Sequence, residues 1–583
     1  MKTRTILAVL CVLCVATVSQ SLSAQTNGNT RNFLDNGNSG GTVVVRGRMT
    51  NIPTDIPEQY RDMSIALRFS APLNYYDDNI IPLHPDSAGN FEVRAEIVNT
   101  TVAQLFTQIV VLEPGRTYEV EIDGYNYTFK GDDTLLNTEL AAHPLKGFKW
   151  NMDTMDTKTD AEALRAAKAE IARLDSMEAA LYAEVPALSL RYRTLRHSCV
   201  RAEAAHYLVQ RRYLAQNVRQ DDGTLWKYIH TLITELPRPY TLFSDISYVL
   251  INYLNGLIEP GPRIGLNLSY IRVALDMTEE RYALRSDAEA HARIQKINEL
   301  RTLLDDYEKI RPSATDSALQ AHPAYALLMA EFREGQDPVL ADIVKGTAVI
   351  DRQTEQKLAK VVTMTGLPRD LRELALAAEL YGLMEQTHVP LTPTLQDIAG
   401  KNLQNTYYKK LISTGSDRLA QLAASLSSAS ETDCLMPNAP FEGMTDGEAI
   451  WQKIAEPLRG RVIFVDVWGT WCGPCRADLK NHTENLHRAL ADLPVTYVYL
   501  CNRSTDEAWR SCIAEYGLVL PHTLHYNLPP AQQAALEKYL KVEHYPTYIL
   551  FAPDGSRATA PDQELQIYNP TFLRQQVKVL SGN

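Results

Sequence analysis

The sequence predicts a multidomain chain with three structural regions: an N-terminal antiparallel β-sandwich, an all-α middle region and a C-terminal α/β domain. Three observations support this division. Apolar residues recur at every second position within residues 25–143, as in strands with one buried face. They recur at every third or fourth position within residues 144–430, as along one face of a helix. Within residues 431–583, apolar runs of strand length alternate with helical segments, which is typical of α/β domains.

The overall composition indicates folded, globular domains. Of the 583 residues, 45% are hydrophobic and 22% are charged, which excludes wholesale disorder. At roughly 150 residues per domain, this length corresponds to three or four domains. The 58 basic and 70 acidic residues give a net charge of −12, and an acidic chain is poorly suited to binding phosphate backbones. We therefore expect no nucleic-acid partner.

The first 24 residues have the pattern of a secretory signal peptide. Lys2 and Arg4 supply positive charge, residues 6–18 are almost wholly apolar, and residues 21–24 provide small side chains for cleavage. An apolar run of about 13 residues is short for roughly 30 Å of hydrocarbon. The alternative is an uncleaved membrane anchor, but small polar residues follow without a basic stop signal. We therefore predict export to the periplasm.

The predicted export changes what the cysteines indicate. Of the eight cysteines, two lie in the signal segment, and the other six are too sparse for a small disulfide-rich scaffold. In an oxidising compartment each is expected to be paired, buried or chemically active. The six are Cys199, Cys434, Cys472, Cys475, Cys501 and Cys512.

The N-terminal region contains three stretches that alternate apolar and polar residues, namely residues 63–69, 91–97 and 118–122. Each pattern predicts a strand with one buried face and one face in water. Turn signals at residues 86–89 and 114–115 separate the runs. Short strands with frequent turns predict a small antiparallel sandwich.

The middle region has the signals of several helices. Residues 159–162 have the spacing of a capping box, which starts a helix, and further helical patterns cover residues 279–310 and 369–385. Breaks are predicted at residues 260–262 and 389–393. Four tyrosines either pack between helices, which is the commoner role, or line a binding groove. They are Tyr248, Tyr253, Tyr407 and Tyr408.

The C-terminal region carries the clearest chemical signal, a Cys-Gly-Pro-Cys motif where a buried strand opens into a helix. Residues three apart share one helix face, so the sulfurs of Cys472 and Cys475 can reach bonding distance. The unpaired N–H groups at a helix start stabilise a thiolate at Cys472, with Cys475 one turn deeper as the shielded resolving thiol. Pro474 is tolerated in the first helical turn. Strands are expected at residues 462–467, 495–500 and 547–551, with a helix near residues 506–516.

Two other uses of this motif are a structural zinc site and a permanent structural disulfide. A structural zinc site needs four ligands, usually two Cys or His pairs, and neither His482 nor Cys501 has the spacing of a second pair. A permanent structural disulfide does not require a helix N-terminus. Redox chemistry is the favoured interpretation, and we expect no metal.

Residues 465–475 resemble the active-site segment of thioredoxin-fold proteins, specifically the exported TlpA/ResA-like thiol-disulfide oxidoreductases. Residues 436–441 and 506–509 are similar to further segments of that family, and residues 542–555 resemble its cis-proline segment and hairpin. The likeness covers residues 431–583 and implies a thioredoxin fold. More weakly, the N-terminal region resembles, through residues 86–91 and 112–115, the small β domain that precedes such domains in Bacteroidetes proteins.

The resemblance also implies roles for individual residues. Pro546 would follow a cis peptide bond and face the cysteine pair, so that Tyr545 backbone groups could hold a substrate strand by β-pairing. The alternative is an ordinary trans turn. Asp466 would be the buried acid, with a raised pKa, that accepts the proton of Cys475; otherwise it is only structural. The residues expected to contact substrate are Trp471, Gly473, Pro474, Tyr545 and Thr547.

Three departures from the family pattern stand out. Lys480 occupies the position of a helix-kinking proline, which predicts a straighter first helix. Residues 496–502 contain no match for the lysine that thioredoxins place near the buried acid. Cys501 and Cys512 are additional, and they either form a second disulfide or remain independent buried thiols.

The predicted activity is thiol–disulfide exchange with disulfide-containing envelope proteins, without a cofactor. The Gly-Pro pair resembles reducing thioredoxin, at about −270 mV, rather than oxidising DsbA, at about −120 mV. A reductant in the periplasm requires a membrane thiol electron donor. One alternative is a thiol peroxidase, but residues 469–471 do not resemble the motif that precedes the reactive cysteine of that class. The other alternative is an envelope partner-binding protein with an accessory redox domain.

Overall fold

The computed structural model describes most of the chain from Gly41 onward. The predicted signal peptide, Met63 and the predicted break at residues 260–262 lie outside the described residues. The described residues are 41–53, 56, 64–70, 73, 78–97, 99–131, 134–145, 147–149, 159–214, 223–237, 246–258, 267–310, 316–332, 347–428, 434–559, 565, 567 and 569–582.

The N-terminal region contains two four-stranded sheets, with strand orders β4-β1-β7-β8 and β3-β2-β5-β6. The predicted strands at residues 91–97 and 118–122 are confirmed, and β2 begins at Ala66 rather than Met63. The strands are β1 (Gly41–Thr50), β2 (Ala66–Ser70), β3 (Asp78–Pro82), β4 (Asn90–Ile97), β5 (Thr101–Leu105), β6 (Gln108–Leu112), β7 (Thr117–Asp123) and β8 (Asn126–Lys130).

The inner faces of these sheets form one core, to which Val45 of β1 and Leu105 of β5 both contribute. One pairing corrects the sequence prediction: β1 and β7 are parallel, with Val45 opposite Tyr118, so the first sheet is mixed rather than antiparallel. The period-two pattern could not reveal this, because it records which face is buried and not the direction of the neighbouring strand.

The middle region is helical, as predicted. Its helices, together with α1 at the end of the β region, are α1 (Leu135–Ala142), α2 (Asp160–Glu184), α3 (Leu190–Leu214), α4 (Thr224–Thr234), α5 (Ile246–Ile258), α6 (Leu268–Tyr282), α7 (Ala288–Ile310), α8 (Asp316–Ala321), α9 (Pro323–Phe332), α10 (Ala348–Thr363), α11 (Arg369–Thr387), α12 (Pro393–Asn402) and α13 (Thr406–Ser428).

Most local predictions for this region are confirmed. The capping box at Thr159 starts α2, α11 covers the predicted residues 369–385, and the chain is non-helical between α11 and α12. The helical pattern over residues 279–310 falls on two helices, since α6 ends at Tyr282 and α7 begins at Ala288. The four tyrosines named above all pack into the main helical core, as the commoner role predicts.

A buried ion pair fixes the junction between the β and helical regions. Arg196 and Glu178 pair through side chains that are 2% and 3% exposed. The same guanidinium donates to the carbonyl oxygens of His143, at 2.9 Å, and Pro144, at 3.2 Å. These two residues are where the β region was predicted to give way to helices.

The C-terminal region is a four-stranded sheet with order β11-β10-β9-β12 and helices on both faces. The predicted strands and the helix near residues 506–516 are confirmed. The elements are α14 (Gly447–Ala455), β9 (Val462–Trp468), α15 (Gly473–Asn481), α16 (Thr483–Leu490), β10 (Val495–Cys501), α17 (Asp506–Glu515), β11 (Thr523–Tyr526), α18 (Pro530–Leu540), β12 (Thr547–Phe551) and α19 (Pro570–Ser581).

The central strands of this sheet decide where the site lies. β9 pairs in parallel with β10 and antiparallel with β12, and every residue of β9 and β10 is buried. Parallel strands place their carboxyl ends at one edge of the sheet, where loops assemble binding sites. Trp468 and Cys501, opposite each other in the register, mark that edge.

The expectation of a straighter first helix is wrong. Lys480 replaces the expected proline, yet the helix still stops at Asn481, because the backbone of His482 leaves helical geometry at φ −122° before α16 begins. Across this break, Leu479 and Leu486 contribute to the same core. Among the described residues, no helix is both long and apolar enough to cross a membrane.

We expect Glu178→Gln to lower the free energy of unfolding by about 3–5 kcal/mol, because it leaves the Arg196 guanidinium buried without its counter-charge. Urea denaturation followed by circular dichroism measures the change. Glu484→Gln is the control, since Glu484 and Arg488 pair with side chains that are 82% and 68% exposed, and exposed pairs contribute little. Equal shifts in both variants would contradict this assignment.

Candidate active site

The Cys-Gly-Pro-Cys motif lies where β9 ends and α15 begins. Cys472 and Cys475 form a disulfide, with Cα atoms 5.3 Å apart. The bond confirms that residues three apart at this helix start bring their sulfurs together. Among the described residues, no group of three His, Cys, Asp or Glu side chains could hold a metal ion.

The start of α15 provides the electrostatic environment of Cys472. Cys472 is the N-cap residue, and its Sγ accepts the backbone N–H of Cys475 at 3.2 Å. This N–H is one of those that a helix start leaves without a backbone partner, and it favours negative charge on the acceptor. Gly473 and Pro474 occupy the first turn, where a missing proline N–H costs nothing. Cys472 is 4% exposed and Cys475 1%, so the order of exposure is the expected one.

Two aromatic side chains and one arginine lie beside the disulfide, and together they are called the rim. They are Trp471, Tyr545 and Arg503. The two aromatic rings meet edge to face at 5.1 Å, and the Arg503 guanidinium lies 4.4 Å from the centre of the indole ring. The Trp471 Nε1–H donates to the carbonyl oxygen of Asn502 at 2.9 Å. A Cβ on Gly469 would lie 2.6 Å from that indole nitrogen, so the ring can adopt this position only over a glycine.

A polar network, which the sequence did not predict, fixes the tyrosine of this rim. The Tyr545 hydroxyl donates to Glu537 at 2.6 Å and accepts from the Asn502 amide at 2.8 Å. Asn502 also donates to Glu537. So does Gln533, which lies on the same helix as Glu537. Because Glu537 lies on α18, far from the motif in sequence, no local pattern could have indicated this network.

The peptide bond between Tyr545 and Pro546 is cis, as the resemblance implied. Thr547 follows as the first residue of β12, opposite Val467 of β9, so the segment sits beside the strand that leads into the motif. The Thr547 hydroxyl donates to the carbonyl oxygen of His544 at 2.5 Å. The structure therefore gathers all the residues expected to contact substrate around one edge of the sheet.

Asp466 lies on the cysteine-bearing face of the sheet. Its neighbours at spacing two, Phe464 and Trp468, share a core cluster with Cys475. Asp466 is 4% exposed, and its Oδ1 has no hydrogen-bond partner. Burial, and secondarily the charge of Asp478, raise its pKa well above the usual value. The folded protein therefore favours the protonated form of this carboxyl more than the unfolded chain does.

Asp478 is a second carboxyl that the sequence interpretation did not include. Its Oδ2 accepts the Tyr548 hydroxyl at 2.8 Å, and burial raises its pKa. Tyr548 pairs with Asp466 across β12 and β9, so the two carboxyls lie near one phenol. Asp478 follows Cys475 by three residues, one helical turn, and that spacing could have revealed it.

The additional cysteines are not paired with each other. Cys501 and Cys512 are both free and buried, so the alternative of independent buried thiols is confirmed. Burial raises the pKa of Cys501 to about 12 and that of Cys512 well above its usual value. Neither thiol is therefore a ready nucleophile at neutral pH.

Comparison with known proteins agrees with this architecture. The sequence profile of the thioredoxin-like family matches residues 460–557. The C-terminal region contains a thioredoxin-like domain. The chain is 33% identical over 84 residues to the thiol-disulfide oxidoreductase ResA of Bacillus thuringiensis, which covers 14% of this chain and 47% of that protein. The match thus spans about half the length of that relative.

Two solved structures are similar to about a fifth of this chain. The thioredoxin domain of a thiol-disulfide oxidoreductase from Bacteroides vulgatus is 18% identical, covering 21% of this chain and 83% of that one, with a TM-score of 0.19. A thiol:disulfide interchange protein from Chlorobium tepidum is 17% identical, covering 22% of this chain and 85% of that one, with a TM-score of 0.19.

We expect Asp466→Asn to raise the free energy of unfolding at pH 7. When the pKa of an aspartate is higher in the folded than in the unfolded state, the protein loses stability as the pH rises. The loss begins near the unfolded-state pKa, about 3.9, and continues up to the folded-state pKa. The gain should be about 1.4 kcal/mol for each unit of that pKa difference, and it should vanish near pH 3. Urea denaturation at both pH values measures it.

Asp492→Asn is the control with the opposite sign. The hydrogen bond from Arg574 is the main cause that lowers the pKa of Asp492 to about 2, so this carboxylate stabilises the fold above its unfolded pKa. Its replacement should reduce stability at pH 7. A loss of stability in Asp466→Asn at pH 7 would contradict this expectation, because it would mean that the folded protein stabilises the Asp466 carboxylate despite its burial.

Proposed function

We propose that this chain is an exported thiol-disulfide oxidoreductase that reduces disulfide bonds of envelope proteins through Cys472 and Cys475. One observation carries the proposal: the Sγ of Cys472 caps a helix and accepts the N–H of Cys475 while bonded to that same residue. The N–H group that the sulfur accepts in the disulfide is in place to stabilise a thiolate when the disulfide is reduced.

The proposed reaction starts from the reduced pair. The Cys472 thiolate attacks one sulfur of a substrate disulfide, which forms a mixed disulfide and releases the other substrate sulfur as a thiolate that takes up a proton. Cys475 then loses its proton and attacks Cys472, which releases the second substrate thiol. The substrate gains two electrons, and the enzyme is left with the Cys472–Cys475 disulfide.

Asp466 is the proposed proton acceptor for Cys475. A carboxyl with a raised pKa is a better base near neutral pH than an ordinary aspartate, because its affinity for the proton is closer to that of a thiol. The nearby Asp478 favours retention of a proton by the pair, since two adjacent carboxylates repel each other.

The rim beside the disulfide is the proposed docking surface for the substrate. Trp471 and Tyr545 offer apolar faces, while the backbone before Pro546 is available to pair with an extended substrate segment. Gly473 and Thr547 are half-buried, and Pro474 is exposed at the helix tip. This surface recognises backbone more than side chains, which suits an enzyme with several protein substrates.

The sequence between the cysteines supports the reducing direction, since Gly-Pro is the pair found in thioredoxin. A relative of similar sequence bears the name thiol-disulfide oxidoreductase, which supports the class of reaction. The N-terminal signal pattern supports export to the periplasm. In that compartment the oxidised pair would be restored by a membrane thiol electron donor.

Cys475→Ser should trap substrates as mixed disulfides with Cys472, because the resolving thiol is gone while the attacking thiol remains. Non-reducing electrophoresis of envelope extracts, with mass spectrometry of the adducts, identifies them. Cys472→Ser is the matched control and should trap none. With purified protein and dithiothreitol, only the wild type should accelerate insulin reduction. Equal trapping by both variants would refute the assignment of Cys472 as the nucleophile.

A further inference from the structure

The active-site helix makes a buried ionic contact with the helical middle region. Arg476, directly after Cys475, is 8% exposed, and its Nη1 donates to Oε2 of Glu385 on α11 at 2.8 Å. The same nitrogen lies 3.2 Å from Nε2 of His388, which ends α11 in the left-handed conformation at φ 49°. The residue beside the cysteine pair is thus held by groups that are almost 100 residues away in sequence.

His388 connects this contact to α17, a second helix of the thioredoxin-like domain. A guanidinium has only donors, so Nε2 of His388 is the acceptor in its contact with Arg476. Nδ1 lies 3.2 Å from Oε2 of Glu515 on α17, and Glu515 also accepts from Arg418 of α13 at 2.5 Å. The groups alternate between the two regions: Glu385, His388 and Arg418 from the middle region, Arg476 and Glu515 from the thioredoxin-like domain.

The position of this network relative to Cys472 gives it chemical importance. Arg476 follows Cys472 by four residues, so the two lie on one face of the helix start, and the Arg476 N–H donates to the Cys472 carbonyl oxygen at 3.1 Å. A buried positive charge one turn from a sulfur stabilises its thiolate, and a carboxylate paired with that charge offsets the effect. Because Glu385 pairs with the Arg476 side chain, its charge offsets a positive charge carried by a residue one helical turn from Cys472.

We propose that Glu385 and His388 are positioning residues for the cysteine pair: they hold the Arg476 guanidinium, offset part of its charge and so set how readily Cys472 ionises. The helical region thereby becomes part of the redox centre rather than an independent module. A buried ion pair adds little net stability compared with apolar packing, so its place here is better explained by what it does to the adjacent sulfur. This inference rests on the proposed function, since it concerns the same thiol.

The test compares two substitutions that remove opposite charges from one contact. In the reduced full-length chain, the pH dependence of iodoacetamide reaction at Cys472, read by mass spectrometry of its peptide, gives the apparent pKa. Glu385→Gln should lower that pKa by about 0.5 unit and Arg476→Gln should raise it by about as much, roughly threefold in thiolate fraction at a fixed pH below the pKa. Glu385→Asp, which keeps the charge, should lie closer to wild type than Glu385→Gln does.

Glu379→Gln is the matched control on the same helix. Glu379 pairs with Lys357 inside the helical region, with side chains 12% and 15% exposed, so its loss also breaks a buried ion pair in α11. It should leave the pKa of Cys472 unchanged. If Arg476→Gln does not fold, Arg476→Lys, which keeps the charge without the planar fork, should shift the pKa less than Glu385→Gln.

Two outcomes would overturn the inference. Shifts of the same sign in Glu385→Gln and Arg476→Gln would indicate loosening of the interface rather than a charge effect, and no shift in either would show that the network is only structural. The proposed function fails in a different way, when wild-type Cys472 itself has the pKa of an ordinary thiol. The wild-type measurement therefore separates the two failures.

Discussion

The site depends on one interaction, the acceptance of a backbone N–H at the start of α15 by the sulfur of Cys472. A helix start leaves N–H groups without backbone partners, and a sulfur placed among them is stabilised in its charged form. The fold serves to hold the sulfur there: β9 delivers the chain to the helix, Gly469 allows Trp471 to cover the turn, and the cis segment before Pro546 closes the other side. Loss of this contact would remove a backbone donor from the sulfur that lies at the start of the helix.

The surroundings of the pair show a division of charge between two sides. Towards the sheet lie Asp466 and Asp478, whose pKa values burial raises, so that side favours holding a proton. Towards the middle region lies the buried guanidinium of Arg476 with its partner Glu385. In the proposed reaction, the first side would accept the proton of Cys475 and the second would adjust the charge on Cys472.

Much of the thioredoxin-like domain could be predicted from the sequence, because the sequence patterns that indicate it are local. The motif, its flanking strand and the helix it opens are contiguous, and the resemblance supplied the cis bond before Pro546. The sequence could not reveal contacts between distant segments, such as Arg476 with Glu385 or Tyr545 with Glu537, since these depend on how whole regions pack. The parallel pairing of β1 with β7 and the helix break at His482 were mispredicted for related reasons: periodicity reports burial, and a missing proline does not guarantee a continuous helix.

The most direct test of the account is the apparent pKa of Cys472 in the reduced, unmodified chain, measured from the pH dependence of its alkylation. The account predicts a value clearly below the roughly 8.5 of a free cysteine, within the range of about 3.5–7.5 found for thiols at helix N-termini. A value at or above 8.5 would contradict it, because the helix start would then do nothing for the sulfur it holds.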